Sequence, residues 1–266
     1  MSRIVSNIAL SAMAVGMFGL TSTPAHSAVV ISYDAATAFT SAGQNTPANV
    51  APAWTLSGSA SNWYNTGTYL IHNVPASPTQ SSSYTSPQVA GTMVKGSTNY
   101  TVEFKVQPNK DVIAGTDWYA RNVVIWADDV KFYTMILDKD SDDAGAGTTG
   151  GIRYGAGSYA ASLPNVLSGI DWSTPHTVAA SYTGSTDTFD FYLDGVFQTS
   201  MAAGSFAAGT TVASWENALT IGATTTAGGD VNNNWYSMSV SNTAVPEPAT
   251  MSLLGVAGLL ALRRRR

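Results

Sequence analysis

The chain contains no cysteine. That excludes a disulfide scaffold, a thiol nucleophile and any Cys-ligated metal or iron–sulfur site. Charge is scarce as well: 11% of the 266 residues are charged, against roughly 25% in ordinary soluble domains. Only three histidines are present, His26, His72 and His176, and the first falls in a leader-like segment, which argues against a His-based zinc site. Glutamate is limited to Glu103, Glu216 and Glu247. Base is almost missing from the middle. Between residues 4 and 262 stand seven Lys and Arg against all seventeen Asp and Glu, a balance of −10. An acidic body lacks the basic footprint that nucleic acid requires.

What is present begins at the two ends. Residues 1–28 read as a secretory signal: Arg3, an apolar run from Ile8 to Leu20, then small residues at Thr23, Ala25, Ser27 and Ala28 for cleavage. At the other end, Pro246-Glu247-Pro248 precedes an apolar stretch of twelve residues from Met251 to Leu262, closed by Arg263, Arg264, Arg265 and Arg266. As a helix that stretch reaches about 18 Å, short of the ~30 Å hydrocarbon core, and the arginines form a positive-inside stop. The order of parts over 244–266 resembles the PEP-CTERM sorting signal. The resemblance implies export in a Gram-negative bacterium that makes exopolysaccharide. It also implies transient insertion of 251–262 in the inner membrane, and recognition and cleavage of the tail by an exosortase. A plain C-terminal anchor is the alternative.

Residues 29–243 read as one all-β domain. Thr101 to Gln107 alternates, with Val102, Phe104 and Val106 on one face and Glu103, Lys105 and Gln107 on the other. Val123 to Trp126 and Phe132 to Leu137 flank a turn at Asp128-Asp129 and are apolar on both faces, so one face suits the core and the other a groove. Asp194-Gly195 predicts a tight hairpin turn. No sustained helical periodicity and no 20–50-residue repeat occurs. Many short strands with Gly, Asn and Asp turns indicate a sandwich or barrel.

Trp172, His176-Thr177-Val178-Ala179, Tyr182, Phe191-Tyr192-Leu193-Asp194-Gly195-Val196 and Leu219-Thr220-Ile221-Gly222 follow one another in order. That series resembles the LamG-like, concanavalin A-like jelly roll. The resemblance implies two packed antiparallel sheets, often with a concave ligand face. The acidic residue usual in that family's final strand is replaced here by the Asn232-Asn233-Asn234-Trp235 run, which puts a metal role at that place in doubt.

Four constellations carry candidate chemistry. Asp138, Asp140, Asp142 and Asp143 offer oxygen ligands in a loop that suits Ca²⁺, with a solvated acidic hairpin tip as the competing reading. The EF-hand pattern is broken, with Asp143 at the turn-glycine position and Thr149 at the position of the bidentate Glu. Gly145 to Gly150 matches G-x-G-x-x-G but is followed by the strand-like Ile152-Arg153-Tyr154, so it reads as a loop rather than a phosphate cradle. Trp63-Tyr64, Trp118-Tyr119 and Trp235-Tyr236 each follow Asn or Asp; in a strand each pair places one ring inside and one outside. An exposed ring beside amides such as Asn234 suits a sugar, and core packing is the competing reading. Trp172 and Trp215 suit the core. Catalysis is poorly provided for: Glu103-x-Lys105-x-Gln107 does not reproduce the alternate acids of the jelly-roll hydrolases, and a glycosidase needs a carboxyl pair about 5–9.5 Å apart. No nucleophile elbow is present.

The expectation is an exported, surface- or matrix-directed, non-catalytic jelly-roll protein that binds polysaccharide. Its rivals are a matrix or adhesion protein that contacts other proteins, and a glycan-processing enzyme.

Overall fold

The computed structural model describes residues 28–38, 46–74, 80–111, 121–130, 132–138, 149–156, 163–203, 216–225 and 231–242. Their strands form two antiparallel sheets. In spatial order the larger sheet holds β13 (Val196–Ala202), β12 (Thr188–Leu193), β11 (His176–Thr183), β6 (Tyr100–Asp111), β15 (Val231–Ser241), β4 (Leu70–Val74) and β3 (Trp63–Asn65), with β1 (Val29–Asp34) paired to the end of β15. The second sheet runs β10 (Asn165–Asp171), β9 (Thr149–Ala156), β8 (Phe132–Asp138), β7 (Arg121–Ala127), β14 (Leu219–Thr225), β5 (Gln80–Thr85) and β2 (Thr55–Gly58). Helix among the described residues amounts to α1 (Ala35–Ala38) and two single 3₁₀ turns. The architecture is a two-sheet antiparallel jelly-roll sandwich, the fold that the resemblance implies.

The period-2 pattern decides which face of each strand goes inside. Val102, Phe104 and Val106 of β6 are fully buried, while Glu103 is exposed and Lys105 and Gln107 are half-buried. β11 pairs β6 in strict register, Val178 opposite Phe104 and Ala180 opposite Val102, so its inward set matches. Asp194 (φ 50°) and Gly195 (φ 76°) turn β12 into β13. Two successive left-handed residues match the twist of the flanking strands, and Gly takes the second without steric cost.

Aromatic rings join the sheets. Phe189 of the larger sheet meets Tyr133 at 4.9 Å and Trp126 at 5.6 Å, and Phe191 meets Tyr154 at 5.0 Å. Edge-on and tilted contacts of this kind add to the area they bury. Trp172 is buried as expected; Trp215 lies outside the described residues. Two carboxylate–phenol groupings enter this core. The Tyr133 hydroxyl donates to the buried Asp128 carboxylate at 2.5 Å, and the Val130 amide donates to its other oxygen at 2.7 Å. The Tyr182 hydroxyl donates to Asp187 at 2.8 Å and accepts from the Gly96 amide at 2.9 Å. Burial, with those carboxylates adding to it, pushes the Tyr182 phenol up to about 12.

The two ends of the sandwich meet. Val29 pairs with Ser241, and the Asn242 amide donates to the Ala28 carbonyl at 3.2 Å. β15 is held on its other side by β6, paired from Val231 with Asp111 to Ser241 with Thr101 through two register shifts.

Candidate functional site

The outer face of the larger sheet carries the more exposed members of the two described aromatic pairs, Trp63-Tyr64 and Trp235-Tyr236. Trp63 and Tyr64 lie on β3, opposite His72 and Ile71 of β4. The Trp63 ring points inward, is 4% exposed, and lies face to face with His72 (centroids 3.7 Å, planes 9° apart). Its indole N–H donates to the Ser82 hydroxyl of the opposite sheet at 2.5 Å. Tyr64 points outward and is 47% exposed. Trp235 and Tyr236 repeat the division: Trp235 is fully buried against Phe104, and Tyr236 is half-buried on the outside. Of the candidate rings, Trp63 and Trp235 are therefore the core members of their pairs. Each occupies an inward strand position, and a ring closed between two sheets offers no face to a polymer. Tyr64 and Tyr236 are the outward members of these two pairs.

Register brings polar partners to these tyrosines. Tyr64 lies opposite Ile71, Ile71 opposite Asn234, and Asn234 opposite Gln107. The register of β15 on β6 shifts between Trp235 and Ser237. Such a bulge re-aims a side chain, and here Tyr236 is the extra residue on the outer face. Its ring sits 5.4 Å from Tyr69, and the Lys105 ammonium lies 5.5 Å from its centre. The Gln107 carbonyl accepts from both the Asn234 amide and the Tyr236 hydroxyl at 3.5 Å, the long end of hydrogen bonding. Its own amide donates to the Ser173 carbonyl at 2.9 Å, which fixes the orientation of the side chain. Burial, helped by Tyr69, pushes the Tyr236 phenol up, so it remains a hydroxyl donor. The set is one flat exposed ring, Tyr64, beside a strip of amides and a phenol.

Lys105, Gln107 and Tyr69 were not candidates from sequence. Their signal is long-range, since Lys105 meets Ser237 and Gln107 meets Asn234 only through strand pairing. The outward alternation of β6 marks 105 and 107 as surface positions but not their neighbours.

Beside this strip His176 closes the start of β11 onto the β12–β13 turn. Its Nδ1 lies 2.6 Å from the Asp194 carboxylate and its Nε2 2.8 Å from the Asp171 carbonyl. Burial pulls the imidazole down, but those two acceptors more than offset it, and the net shift is upward. Asp194 also accepts from the Thr177 amide at 2.9 Å. Burial raises the Asp194 carboxyl, while Thr177, His176 and Lys105 bring it below its ordinary value. This clasp is structural, as the position of His176 in the jelly-roll series implies.

The remaining expectations fall elsewhere. Trp118 and Tyr119 lie outside the described residues, as do Asp140, Asp142 and Asp143 and the tail with Pro246, Glu247, Pro248 and Arg263 to Arg266. Asp138 ends β8, with only its backbone described. Among the described residues no group of three or more His, Asp or Glu is arranged to hold a metal, and no helix is long and apolar enough to cross a membrane.

Comparison with known proteins bears on the tail and on the fold. Residues 244–266 match the PEP-CTERM protein-sorting motif. No curated protein matches the chain in sequence. One solved structure comes from work on endo-acting O-glycanases that prominent members of the human gut microbiota express to initiate mucin breakdown. It superposes with a TM-score of 0.52 at 10% identity, over 81% of this chain and 99% of that one. The metal-free exoplasmic/lumenal domain of VIP36 gives 0.49 at 11% identity, over 84% of this chain and 95% of that one. The apo Crh5 transglycosylase gives 0.48 at 12%, over 82% and 85%. At such identities the likeness to the first is one of fold, and fold leaves function open.

Proposed function

We propose that the chain is an exported, surface- or matrix-directed protein that binds carbohydrate without catalysis, and that the outer face of the larger sheet is its binding face. The observation that carries this reading is Tyr64, an exposed ring in strand register with Asn234 and Gln107. The ring supplies a flat apolar surface for a sugar, and the amides with the Tyr236 hydroxyl supply partners for its hydroxyl groups. The sorting motif at 244–266 supports export and handling by an exosortase, with 1–28 as the removed leader and 251–262 as the transient membrane segment. The non-catalytic reading is supported by the central strand, where Glu103 is followed on the same outward face by Lys105 and Gln107, so the strand carries no carboxyl pair.

Affinity electrophoresis of the full chain through polysaccharide gels tests the reading. Retardation on at least one polymer that weakens about tenfold in Tyr64→Ala is the expected result, the effect of losing ~1.4 kcal/mol of stacking. No retardation on any polymer, with the protein folded, would overturn it in favour of a protein-contacting matrix component. Release of reducing ends from the gel polymers would overturn the non-catalytic part. The Ca²⁺ expectation for Asp138, Asp140, Asp142 and Asp143 is tested in the same gels, since a calcium-shaped loop makes retardation sensitive to chelator.

A further inference from the structure

The second strongly exposed aromatic ring on a described strand lies at the far side of the same sheet. Phe197 of β13 is 46% exposed. It stands opposite Tyr192, which stands opposite Ala179, which stands opposite Glu103. Glu103 faces outward between the inward Val102 and Phe104, so Phe197 shares the outer face with Tyr64. A register shift on β13 beside Phe197 places it there, its ring 5.8 Å from that of Tyr192. β3 and β13 are the two ends of the seven-strand path of the sheet. An aromatic ring is thus mounted on each edge strand, with amides, a phenol and an ammonium between them.

We propose that the binding face spans the larger sheet from Tyr64 to Phe197 and takes an interior stretch of a linear, uncharged polysaccharide. The proposal rests on the carbohydrate reading above. Six inter-strand steps of ~4.8 Å separate β3 from β13, about 29 Å, which no single sugar bridges and an extended chain does. The track crosses the strands diagonally, because Tyr64 is level with Gln107 and Phe197 with Glu103, four residues earlier on β6. Ala179 and Tyr192, buried at 4% and 5% exposure, form the packed floor of that row between Glu103 and Phe197, so contact there falls on the projecting Phe197 ring. Both ends of the track lie on edge strands, so a chain runs past each ring, and recognition falls on its interior rather than its terminus. The track carries no excess of positive charge: Lys105 is flanked by Glu103 on its own strand and acts on Asp194 across β11, and Asp190 stands outward on β12. A track with more carboxylates than ammonium groups fits hydroxyls better than it fits an anionic polymer.

The test uses the full chain in mild detergent, gels of linear β-glucan, xylan, mannan, galactan and alginate, and a size ladder cut from whichever polymer retards it. Octamers of a neutral polymer should bind about tenfold or more tighter than trimers, the advantage of a second contact on one ligand. Phe197→Ala and Tyr64→Ala should each bring octamer affinity down to about that of trimers. Both residues are exposed, so the variants fold. Trimers binding as tightly as polymer, or Phe197→Ala without effect while Tyr64→Ala abolishes binding, would overturn the long track and leave the local site at Tyr64 standing. Binding to alginate alone, lost at high salt, would overturn the uncharged ligand. Binding to none of the five would overturn both this proposal and the carbohydrate reading.

Discussion

The two outer faces of the sandwich differ as a surface differs from a core. On the larger sheet the outward positions Glu103, Lys105, Gln107, Asn234, Tyr236 and Tyr64 are at least partly open to water, while Thr101, Ala179, Ser181 and Tyr192 of the same face are buried. On the second sheet the outward positions of β7 and β8 hold Ile125, Ala127, Phe132, Thr134 and Ile136, all buried, with Ile125, Ala127 and Phe132 forming a cluster of their own separate from the main core. The sequence makes β7 and β8 apolar on both faces and so suggests a groove. The structure closes that face. An apolar outward row therefore marks a second buried layer here, and the wet face is the one left for a soluble ligand.

Placing a charge on each face gives the widest contrast. Ile136→Asp should cost about 4 kcal/mol or more in urea denaturation, because the carboxylate loses its hydration without gaining a partner. Ser237→Asp on the open face should stay within about 0.5 kcal/mol. Equal effects would mean that the closed face opens in solution.

The Trp63-Tyr64 pair makes the same comparison across one strand. Trp63→Ala should cost about 3–5 kcal/mol through the cavity it leaves and the lost donor to Ser82. Tyr64→Ala should leave stability within about 0.5 kcal/mol and act on glycan retention instead. If Tyr64→Ala destabilised the fold as much as Trp63→Ala, the division of the pair into core and site would fail.

The two described histidines sharpen it by pH. His72, buried under Trp63 with neither ring nitrogen hydrogen-bonded, is driven down to about 3 by loss of hydration. Its folded pKa lies below the ordinary value of ~6.5, so its contribution is full above that pH and is lost as pH falls toward 3. That amounts to about 2–3 kcal/mol by pH 4.5. His72→Phe should flatten the acid limb of a stability–pH profile; an unchanged limb would show that another group drives it.

His176 works in the opposite sense and gives the smallest effect. Its folded pKa is raised, so the clasp to Asp194 is fully present below ~6.5 and is lost as pH rises through the folded pKa. Asp194, whose folded pKa is lowered, adds stability above its ordinary value and loses it in acid. For an open pair with Asp194 half exposed, the swing should stay under about 1 kcal/mol. His176→Gln should remove the alkaline-side slope while leaving the acid limb of His72 in place.

How much of this was legible depended on contrast along the chain. β6 and the β12–β13 hairpin declared themselves, one by strict alternation and the other by Asp-Gly. β5 did not: Gln80-Ser81-Ser82-Ser83-Tyr84-Thr85 has one strongly apolar residue, and it becomes a strand because β14 and β2 pair with it on either side. For the site, alternation showed that one ring of each Trp-Tyr pair must be buried. It could not say which, because an isolated pair has no neighbours to fix the inward phase. Tyr236 adds a bulge, which breaks the period at the position where the period was needed. The partners Lys105 and Gln107 follow from a register that only the folded sheet establishes.

The meeting of Ala28 and Asn242 has a mechanical consequence. A pull on the residues after Asn242 enters the sandwich along β15, which lies inside the larger sheet with β6 on one side and β1 and β4 on the other. Ladder hydrogen bonds run across the strands, so a lengthwise load shears them together instead of unzipping them one by one. A domain held at a surface by its C-terminal end while gripping a polymer on its face would carry drag through its stiffest element, and its edge strands would remain outside the line of force.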